Sequence, residues 1–307
     1  MDANAASLAS LAKTKVDDPL ALSSTQRVIE FYEEAGEDYR HWSPGLNMHL
    51  GFYRWGTNPF RREQMLEQLN LEVAQRLKID ANKPASLVDL GCGMGAVARS
   101  VARYYPKSTI KGVTLSPSQV RIASQESRNA GLLDQIEILE GNFTDLPFAD
   151  NSVDGAWAIE SACYVAGPAK EDLIREVSRI LKPGGRFVVA DCFVRNADKQ
   201  INRIVQKCYS AACKNWVVQE MAALEHFIAA AEKYGVRDLI VEDISWRTAP
   251  SLAHAPLAVA TFLLKKALVG ERLGQQSLNN LKASLQALVI GAHRSKFGYY
   301  LISGACR

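Results

Sequence analysis

The amino-acid sequence predicts an α/β fold in which a parallel sheet carries helices on both faces. Short apolar runs and longer helical patterns alternate between residues 85 and 191. The run DLGCGMG at residues 89–95 follows one apolar run and opens into a helical pattern, which is typical of a strand, a tight turn and a helix. The chain has enough apolar residues to form a buried core, because 48% of the 307 residues are hydrophobic and 22% are charged.

The alternation gives a set of predicted elements in chain order. Strands are predicted at 86–90, 109–114, 136–140, 153–159, 187–190, 238–245 and 299–303. Helices are predicted at 61–77, 96–104, 117–130, 169–181, 257–269 and 278–293. The segment 181–185 is expected to close the helix before it and lead into the next strand.

Five segments follow from this pattern. They are a loose or helical arm (1–24), a helical cover (25–84), a nucleotide-binding core (85–195), a helical lid insertion (196–234) and the C-terminal part of the sheet with a further helical insertion (235–307). The insertion interrupts a sheet that resumes afterwards, which favours a lid over a separate domain. A helical dimerisation surface is the alternative for this insertion.

The glycine-rich turn indicates a nucleotide-binding site. Gly91, Gly93 and Gly95 remove side chains where the backbone bends sharply, and the helix behind them offers unsatisfied N–H groups. Gly91, Gly93 and Ala96 also satisfy the dinucleotide pattern G-x-G-x-x-G/A, so spacing alone does not separate the two ligand classes.

Three features favour S-adenosylmethionine (SAM) over NAD at this turn. Asp89 precedes the glycines, where a carboxylate attracts a cationic aminoacyl group and repels a pyrophosphate. The segment 111–119 contains no acid, although a dinucleotide site wants one roughly twenty residues after its glycines. The unit around LKPGG at 181–185, a helix, a loop and a strand, is similar to that of class I methyltransferases.

Composition disfavours several other classes of protein. The net charge is +3 and no long basic run occurs, so we expect no nucleic-acid partner. The six cysteines form no C-x-x-C pair and the histidines have no metal-ligand spacing, so we expect a reduced, cytoplasmic setting and no metal site. Residues 1–20 lack a continuous apolar core and are expected to be neither a signal peptide nor a membrane span.

Four motifs resemble one group of SAM-dependent methyltransferases, which includes γ-tocopherol methyltransferases, sterol C-methyltransferases and cyclopropane fatty acid synthases. They are FY at 31–32 with NMHLGFY at 47–53, DLGCGMG at 89–95, GVTLSPSQ at 112–119 and AIESAC at 158–163. The resemblance spans residues 25–307. It implies a Rossmann-like class I methyltransferase sheet with SAM as the cofactor.

The resemblance also implies which residues bind the cofactor. Gln119 would meet the ribose hydroxyls, although a solvent-facing helix residue is the alternative. Asn142 and Phe143 would meet the adenine, the amide as an acceptor and the ring by stacking. The full implied set is Tyr32, Asp89, Gly91, Gly93, Gly95, Thr114, Leu115, Gln119, Asn142, Phe143 and Ile159.

Glu160 is the principal candidate for catalysis. It follows a predicted buried strand, and the resemblance implies that its carboxylate stabilises a carbocation or removes the proton that resolves it. A structural acid is the alternative. His49 is a candidate base, or else a packed histidine, and Tyr53 is a candidate in the same aromatic cover.

The expected reaction is methylation of a small apolar acceptor, at carbon of an isoprenoid, sterol-like or phenolic compound. N- or O-methylation of an aromatic metabolite, and a non-catalytic SAM-binding module, are the alternatives; a nicotinamide reductase is the least favoured.

Tocopherol relatives carry a histidine after the AIESAC motif, but here the chain continues from Cys163 as CYVAGP, so the acceptor is left open. A homodimer is left open too. Four basic residues could hold a diphosphate, namely Lys265, Lys266, Arg294 and Lys296. A position on the solvated surface is the alternative for them.

Overall fold

The computed structural model describes residues 23–196 and 198–307, so most of the arm expected at 1–24 lies outside the described residues. The strands are β1 Ala85–Leu90, β2 Ser108–Thr114, β3 Ile136–Glu140, β4 Val153–Ile159, β5 Leu181–Val194, β6 Ala222–Ala223, β7 Val236–Asp243 and β8 Phe297–Cys306. The helices are α1 Ser24–Ala35, α2 Tyr39–Trp42, α3 Arg62–Leu77, α4 Ala96–Tyr104, α5 Pro117–Asn129, α6 Glu171–Ile180, α7 Arg203–Asn215, α8 Leu224–Lys233, α9 Ser245–Leu252, α10 Ala255–Leu268 and α11 Gln275–Ala292.

The sheet is mixed and has the order β3-β2-β1-β4-β5-β8-β7, with β6 paired to β5. Strands β1 to β5 pair in parallel, whereas β8 runs antiparallel between β5 and β7. The predicted Rossmann-like sheet is confirmed. The antiparallel β8 is an addition to the parallel sheet that the alternation predicts, because periodicity carries no strand direction.

One local prediction is corrected. Helix α6 ends at Ile180, and the segment 181–185 belongs to β5. Leu181 pairs with Val153, and the register shifts before Gly155. The glycines and proline of this segment therefore make the irregular start of a strand, where a loop was expected.

Two hydrophobic cores lie on opposite faces of the sheet, because successive residues of a strand point to opposite sides. Val88 and Ala156 belong to the core that also holds α6 and α8 residues such as Ile174 and Phe227. Trp157 belongs to the other core, together with α3 and α4 residues. The sheet is thus covered on both faces, and its carboxyl-end edge is left for a ligand.

Helices from three parts of the chain cover that edge. Trp216, just after α7, donates from Nε1 to Oδ1 of Asn280 on α11 at 2.9 Å. The Tyr39 hydroxyl on α2 reaches the same Asn280 oxygen at 3.4 Å. The cover is therefore built jointly by the N-terminal segment, the insertion and the C-terminal helices. Within the described ranges, no helix is long and apolar enough to cross a membrane.

Candidate active site

Two cavities meet above the carboxyl ends of β1, β2 and β4. The smaller one, of about 80 Å³, lies at the glycine-rich turn. The larger one, of about 240 Å³, lies beneath the helical cover. Both are lined by the same five side chains: Tyr32, Met48, His49, Glu160 and Tyr164. These five residues, the shared wall, would therefore contact a molecule in either cavity, and the two molecules would lie next to each other.

The smaller cavity brings together most of the cofactor residues that the sequence implies. Of that set, only Gly95 and Asn142 do not line it. Those that line it come from five separate segments and are Tyr32, Asp89, Gly91, Gly93, Thr114, Leu115, Gln119, Phe143 and Ile159.

The turn itself requires glycine at two of these positions. Gly91 has φ +80°, and a Cβ there would lie 2.4 Å from Cβ of Ser161. Gly93 has φ +50°, and a Cβ there would lie 2.9 Å from Sδ of Met48. Larger residues would strain the backbone and close the turn. Gly95, which precedes α4, also has a positive φ of +73°, and a Cβ there would lie 3.1 Å from Cβ of Ala123.

Asp89 is a buried carboxyl group with spare hydrogen-bonding capacity. Its side chain is 2% exposed, and its Oδ2 has no hydrogen-bond partner among the described residues. Burial raises its pKa to about 8, an effect that the nearby Trp157 indole and the Ala98 N–H oppose. A cationic amino group would provide the missing partner and stabilise the charged carboxylate. The residue thus fits the aminoacyl end of SAM.

Strand β2 and helix α5 also present hydrogen-bonding groups to the smaller cavity. Thr114 donates from its hydroxyl to Oε1 of Gln119 at 2.5 Å, which orients the amide. The Gln119 Nε2 then lies 3.8 Å from Sδ of Met48, a weak acceptor, and retains donor capacity. Gln119 is buried, so the solvent-facing alternative for it is not what the structure shows.

Asn142 lies differently from its expected role. It is exposed, and its Oδ1 accepts from the N–H of Thr144 at 3.0 Å and from the Thr144 hydroxyl at 2.9 Å. The oxygen expected to meet adenine is thus used to close a turn. Phe143, directly after it, is buried and lines the smaller cavity.

Glu160 stands at the junction of the two cavities in a strained backbone conformation, with φ +47°. Its Oε1 accepts hydrogen bonds from the Leu50 N–H at 2.7 Å and from the Tyr299 hydroxyl at 2.8 Å. Burial raises its pKa to about 7, and the neighbouring Asp191 adds to this increase. The group can therefore be a carboxylate or an acid near neutral pH, as general acid–base chemistry requires.

His49 is linked to Glu160 through the backbone of Leu50. Its Nδ1 donates to the Leu50 carbonyl at 2.8 Å, while the Leu50 N–H donates to Glu160. Because a carbonyl can only accept, Nδ1 carries the proton and Nε2 keeps its lone pair. Nε2 is buried without a hydrogen-bond partner in the described chain, and burial lowers the pKa of His49 to about 4. The ring is therefore neutral at pH 7.

The structure adds site residues that the motifs did not single out. The Tyr32 and Tyr164 hydroxyls are 2.7 Å apart on the shared wall. Asp191 accepts from the N–H groups of Cys192 at 2.7 Å and Cys163 at 3.1 Å, and burial raises its pKa to about 6. The only sequence signal for Asp191 was its position at the end of an apolar run. Tyr164 and Tyr299 carried none, because their partners are 132 and 139 residues away.

Tyr53 is not brought to either cavity. Its ring packs against Trp55, with centroids 5.8 Å apart, and its N–H donates to the Arg247 carbonyl. The residue is half-buried and lines neither cavity.

The larger cavity is mostly apolar and contains acids without cations. The insertion contributes Trp216, Val218 and Met221, and α9 to α11 contribute side chains such as Val259 and Phe262. Of residues 23–196 and 198–307, no lysine or arginine lines either cavity.

The four cations considered for a diphosphate therefore lie elsewhere. Lys266 pairs with Glu271, Arg294 lies 3.8 Å from Asp243, and Lys296 donates to the Lys199 carbonyl at 2.7 Å. Lys265 is exposed on α10. In the part of the chain that the structure describes, no group of three or more His, Cys, Asp or Glu side chains could hold a metal ion.

Comparisons with known proteins agree with this geometry. The methyltransferase domain family matches residues 88–189. A methyltransferase of Streptomyces halstedii is 28% identical over 74% of this chain and 78% of its own length. A sterol 4-C-methyltransferase of Caenorhabditis elegans is 34% identical over 44% of this chain and 38% of its own length, so the chain spans well under half of that relative.

A solved structure shares the fold over nearly the whole chain. It is the geranyl diphosphate C-methyltransferase of Streptomyces coelicolor, with a TM-score of 0.72, 18% identity, and coverage of 94% of this chain and 99% of that one. At this identity the likeness shows the fold alone. Together with the matched domain and the glycine-rich turn, it identifies the chain as a SAM-dependent methyltransferase of class I.

Proposed function

We propose that this chain methylates an uncharged, largely apolar acceptor, at carbon of an isoprenoid, sterol-like or phenolic compound. The observation that carries the proposal is the shared wall. Glu160 belongs to both cavities, so a carboxyl group stands where a cofactor in the smaller cavity and an acceptor in the larger one would meet.

Asp89, Gly91, Gly93 and Gln119 would hold SAM in the smaller cavity. When bound there, SAM supplies an electrophilic methyl group on a positively charged sulfur. The chain's own residues align the acceptor with that group and exclude water from it, which is how such transfers are mainly accelerated.

Glu160 is proposed to act on the charge that develops on the acceptor. The Leu50 N–H and the Tyr299 hydroxyl hold its Oε1, and Oε2 accepts no hydrogen bond from a described residue. A carboxylate fixed in this way can stabilise a cation formed from an alkene, or accept the proton that the acceptor loses. The neutral His49, held by the Leu50 carbonyl, offers a second proton acceptor at Nε2.

The cavity disfavours a diphosphate acceptor. Asp38, Glu160 and Asp191 line it, and no lysine or arginine of the described ranges does so. Burying a diphosphate among carboxyl groups without cations would be strongly unfavourable. N- or O-methylation of an aromatic compound remains the second candidate, favoured by the aromatic residues Tyr39, Trp42 and Trp216 in the cavity wall.

The proposal is tested with radioactive SAM labelled in its methyl group. The protein is incubated with a neutral lipid fraction, with a panel of sterol-like, isoprenoid and phenolic compounds, or with prenyl diphosphates. We expect label in organic-phase products of neutral acceptors and none in the diphosphates, and we expect Glu160→Gln to suppress it. Label confined to water-soluble products would contradict the proposal, and a non-catalytic SAM-binding module would give SAM binding without any labelled product.

A further inference from the structure

The outer side of α10 is apolar although it faces away from the protein. The inner residues Val259 and Phe262 line the larger cavity. The outer residues Leu257, Leu264 and Leu268 recur at helical spacing and are 64%, 60% and 78% exposed. A surface helix ordinarily presents polar residues outward, so a helix that is apolar on both sides indicates a missing partner.

A loop beside the start of α10 extends this apolar surface. Trp55 and Phe60 in the segment 54–60 are 78% and 85% exposed. The segment is anchored at His254, directly before α10, whose Nε2 donates to the Pro59 carbonyl at 2.8 Å. Two aromatic rings and three leucines are thus exposed on these two neighbouring segments, and together we name them the docking face: Trp55, Phe60, Leu257, Leu264 and Leu268.

Cations accompany this docking face. Arg54, Arg61 and Lys265 are exposed, and none of them forms an ion pair with a residue of 23–196 or 198–307. Proteins that bind the surface of an anionic membrane use exposed aromatic and aliphatic side chains together with basic residues. We propose that the docking face binds the surface of a bilayer that contains anionic lipids.

The charges favour a bilayer over a second copy of the chain. A two-fold dimer through this face would bring Arg54, Arg61 and Lys265 close to the same cations of its partner, and like charges repel in such an interface. An anionic lipid surface neutralises them.

The position of α10 suggests a role for the contact between the docking face and the bilayer. This one helix lies between the docking face and the larger cavity, so an apolar acceptor dissolved in the bilayer would have a short route to the site. This role rests on the proposed function, whereas binding to the bilayer does not.

Vesicle flotation with the full chain, without SAM or acceptor, tests the contact. Vesicles of phosphatidylcholine alone are compared with vesicles containing about one third phosphatidylglycerol, which supplies the negative surface. We expect at least a tenfold preference for the anionic vesicles. We also expect at least a tenfold loss of binding in the Leu264→Glu, Leu268→Glu double variant, whereas Leu133→Glu, at a 44% exposed position before β3, should bind as the original chain does.

A second set of variants separates charge from apolar contact. Arg54→Gln, Arg61→Gln and Lys265→Gln together should remove the preference for anionic vesicles, and circular dichroism confirms that each variant is folded. Flotation of the original chain with neither vesicle would overturn the proposal, and so would unchanged binding by the double variant. A chain that floats with neither vesicle but changes from dimer to monomer on the double substitution would show a self-association surface. Methyl transfer that persists without vesicle binding would leave the proposed function standing.

Discussion

At the scale of single residues, Glu160 shows how function and stability conflict. Its pKa rises from 4.5 to about 7 in the folded protein, mainly through burial. A raised carboxyl pKa means that folding favours the protonated form of Glu160. Its contribution to the free energy of unfolding is therefore complete below about pH 4.5 and is lost as the pH rises through 7. The loss amounts to at most about 3 kcal/mol.

Glu160→Gln should therefore stabilise the protein and inactivate it. The amide keeps the acceptor for Leu50 and Tyr299 but cannot ionise, so we expect a higher unfolding temperature at pH 8 and little change at pH 5. Turnover should fall roughly a hundredfold or more with SAM affinity nearly unchanged. Glu137→Gln, at an exposed acid on β3, serves as the control. Turnover within about threefold of the original would reject Glu160 as base or cation stabiliser.

Asp89 gives a prediction about the cofactor. Asp89→Asn preserves the shape of the side chain and removes the charge that would face the SAM amino group, so SAM affinity should fall by about tenfold or more. Asp145→Asn, at an exposed acid outside the cavity lining, should leave the affinity unchanged. Calorimetry on both variants measures this, and equal affinities would argue against an ion pair at Asp89.

The sequence predicts best those residues whose role depends only on the local backbone, such as the glycines of the glycine-rich turn. Gly91 and Gly93 have positive φ angles that follow from the motif alone. Asn142 and Tyr53 lie away from the cavities because a side chain can turn toward its own backbone or toward solvent without any change in sequence spacing. Tyr299 reaches Glu160 only through tertiary packing, which no local pattern records.

At the scale of elements, the cover over the larger cavity is shared among several helices. The sequence pattern assigned the lid to 196–234, and residues of that insertion do line the cavity. So do residues of α9, α10 and α11. We propose that both parts move as one cover, because Trp216 and Asn280 join them by a hydrogen bond.

Hydrogen exchange tests this shared cover. Binding of the demethylated cofactor together with an acceptor should slow exchange in 216–222 and in α11 to a similar degree, since closure would order both. The strands β2 and β3 serve as an internal control and should not change. Slower exchange in only one of the two segments would show that they move separately.

Lys170 ties the turn after Glu160 to the insertion. The side chain is fully buried, and its Nζ donates to the carbonyls of Val165 at 2.7 Å, Glu220 at 2.8 Å and Cys163 at 3.4 Å. Burial lowers its pKa, although the nearby Cys163 and Asp191 oppose that effect.

Lys170→Met should leave three buried carbonyls without this donor and lower the free energy of unfolding by roughly 2–4 kcal/mol. Lys182→Met removes a half-exposed lysine that pairs with Asp154 and should cost less than about 1 kcal/mol. Denaturant titration compares the two variants. An equal decrease in the free energy of unfolding of both variants would mean that the buried contacts of Lys170 do not add to stability.

At the scale of the whole molecule, the order of strands and helices was readable because burial imposes strict periods on them. The glycine-rich turn is read from its motif. The five strands β1 to β5 follow from those periods, and their parallel pairing follows from the helices that alternate with them. The antiparallel β8, the joint cover and the absence of lysine and arginine from the described cavity lining do not, because each depends on how distant segments pack.

The arrangement of the two cavities is tested by a crystal structure with S-adenosylhomocysteine. We expect its amino group beside Asp89 and its adenine against Phe143. We expect its sulfur to face three residues of the shared wall, Tyr32, Tyr164 and Glu160, and to be open to the larger cavity. A ligand whose sulfur is walled off from the larger cavity, or that occupies the larger cavity itself, would contradict the proposed site.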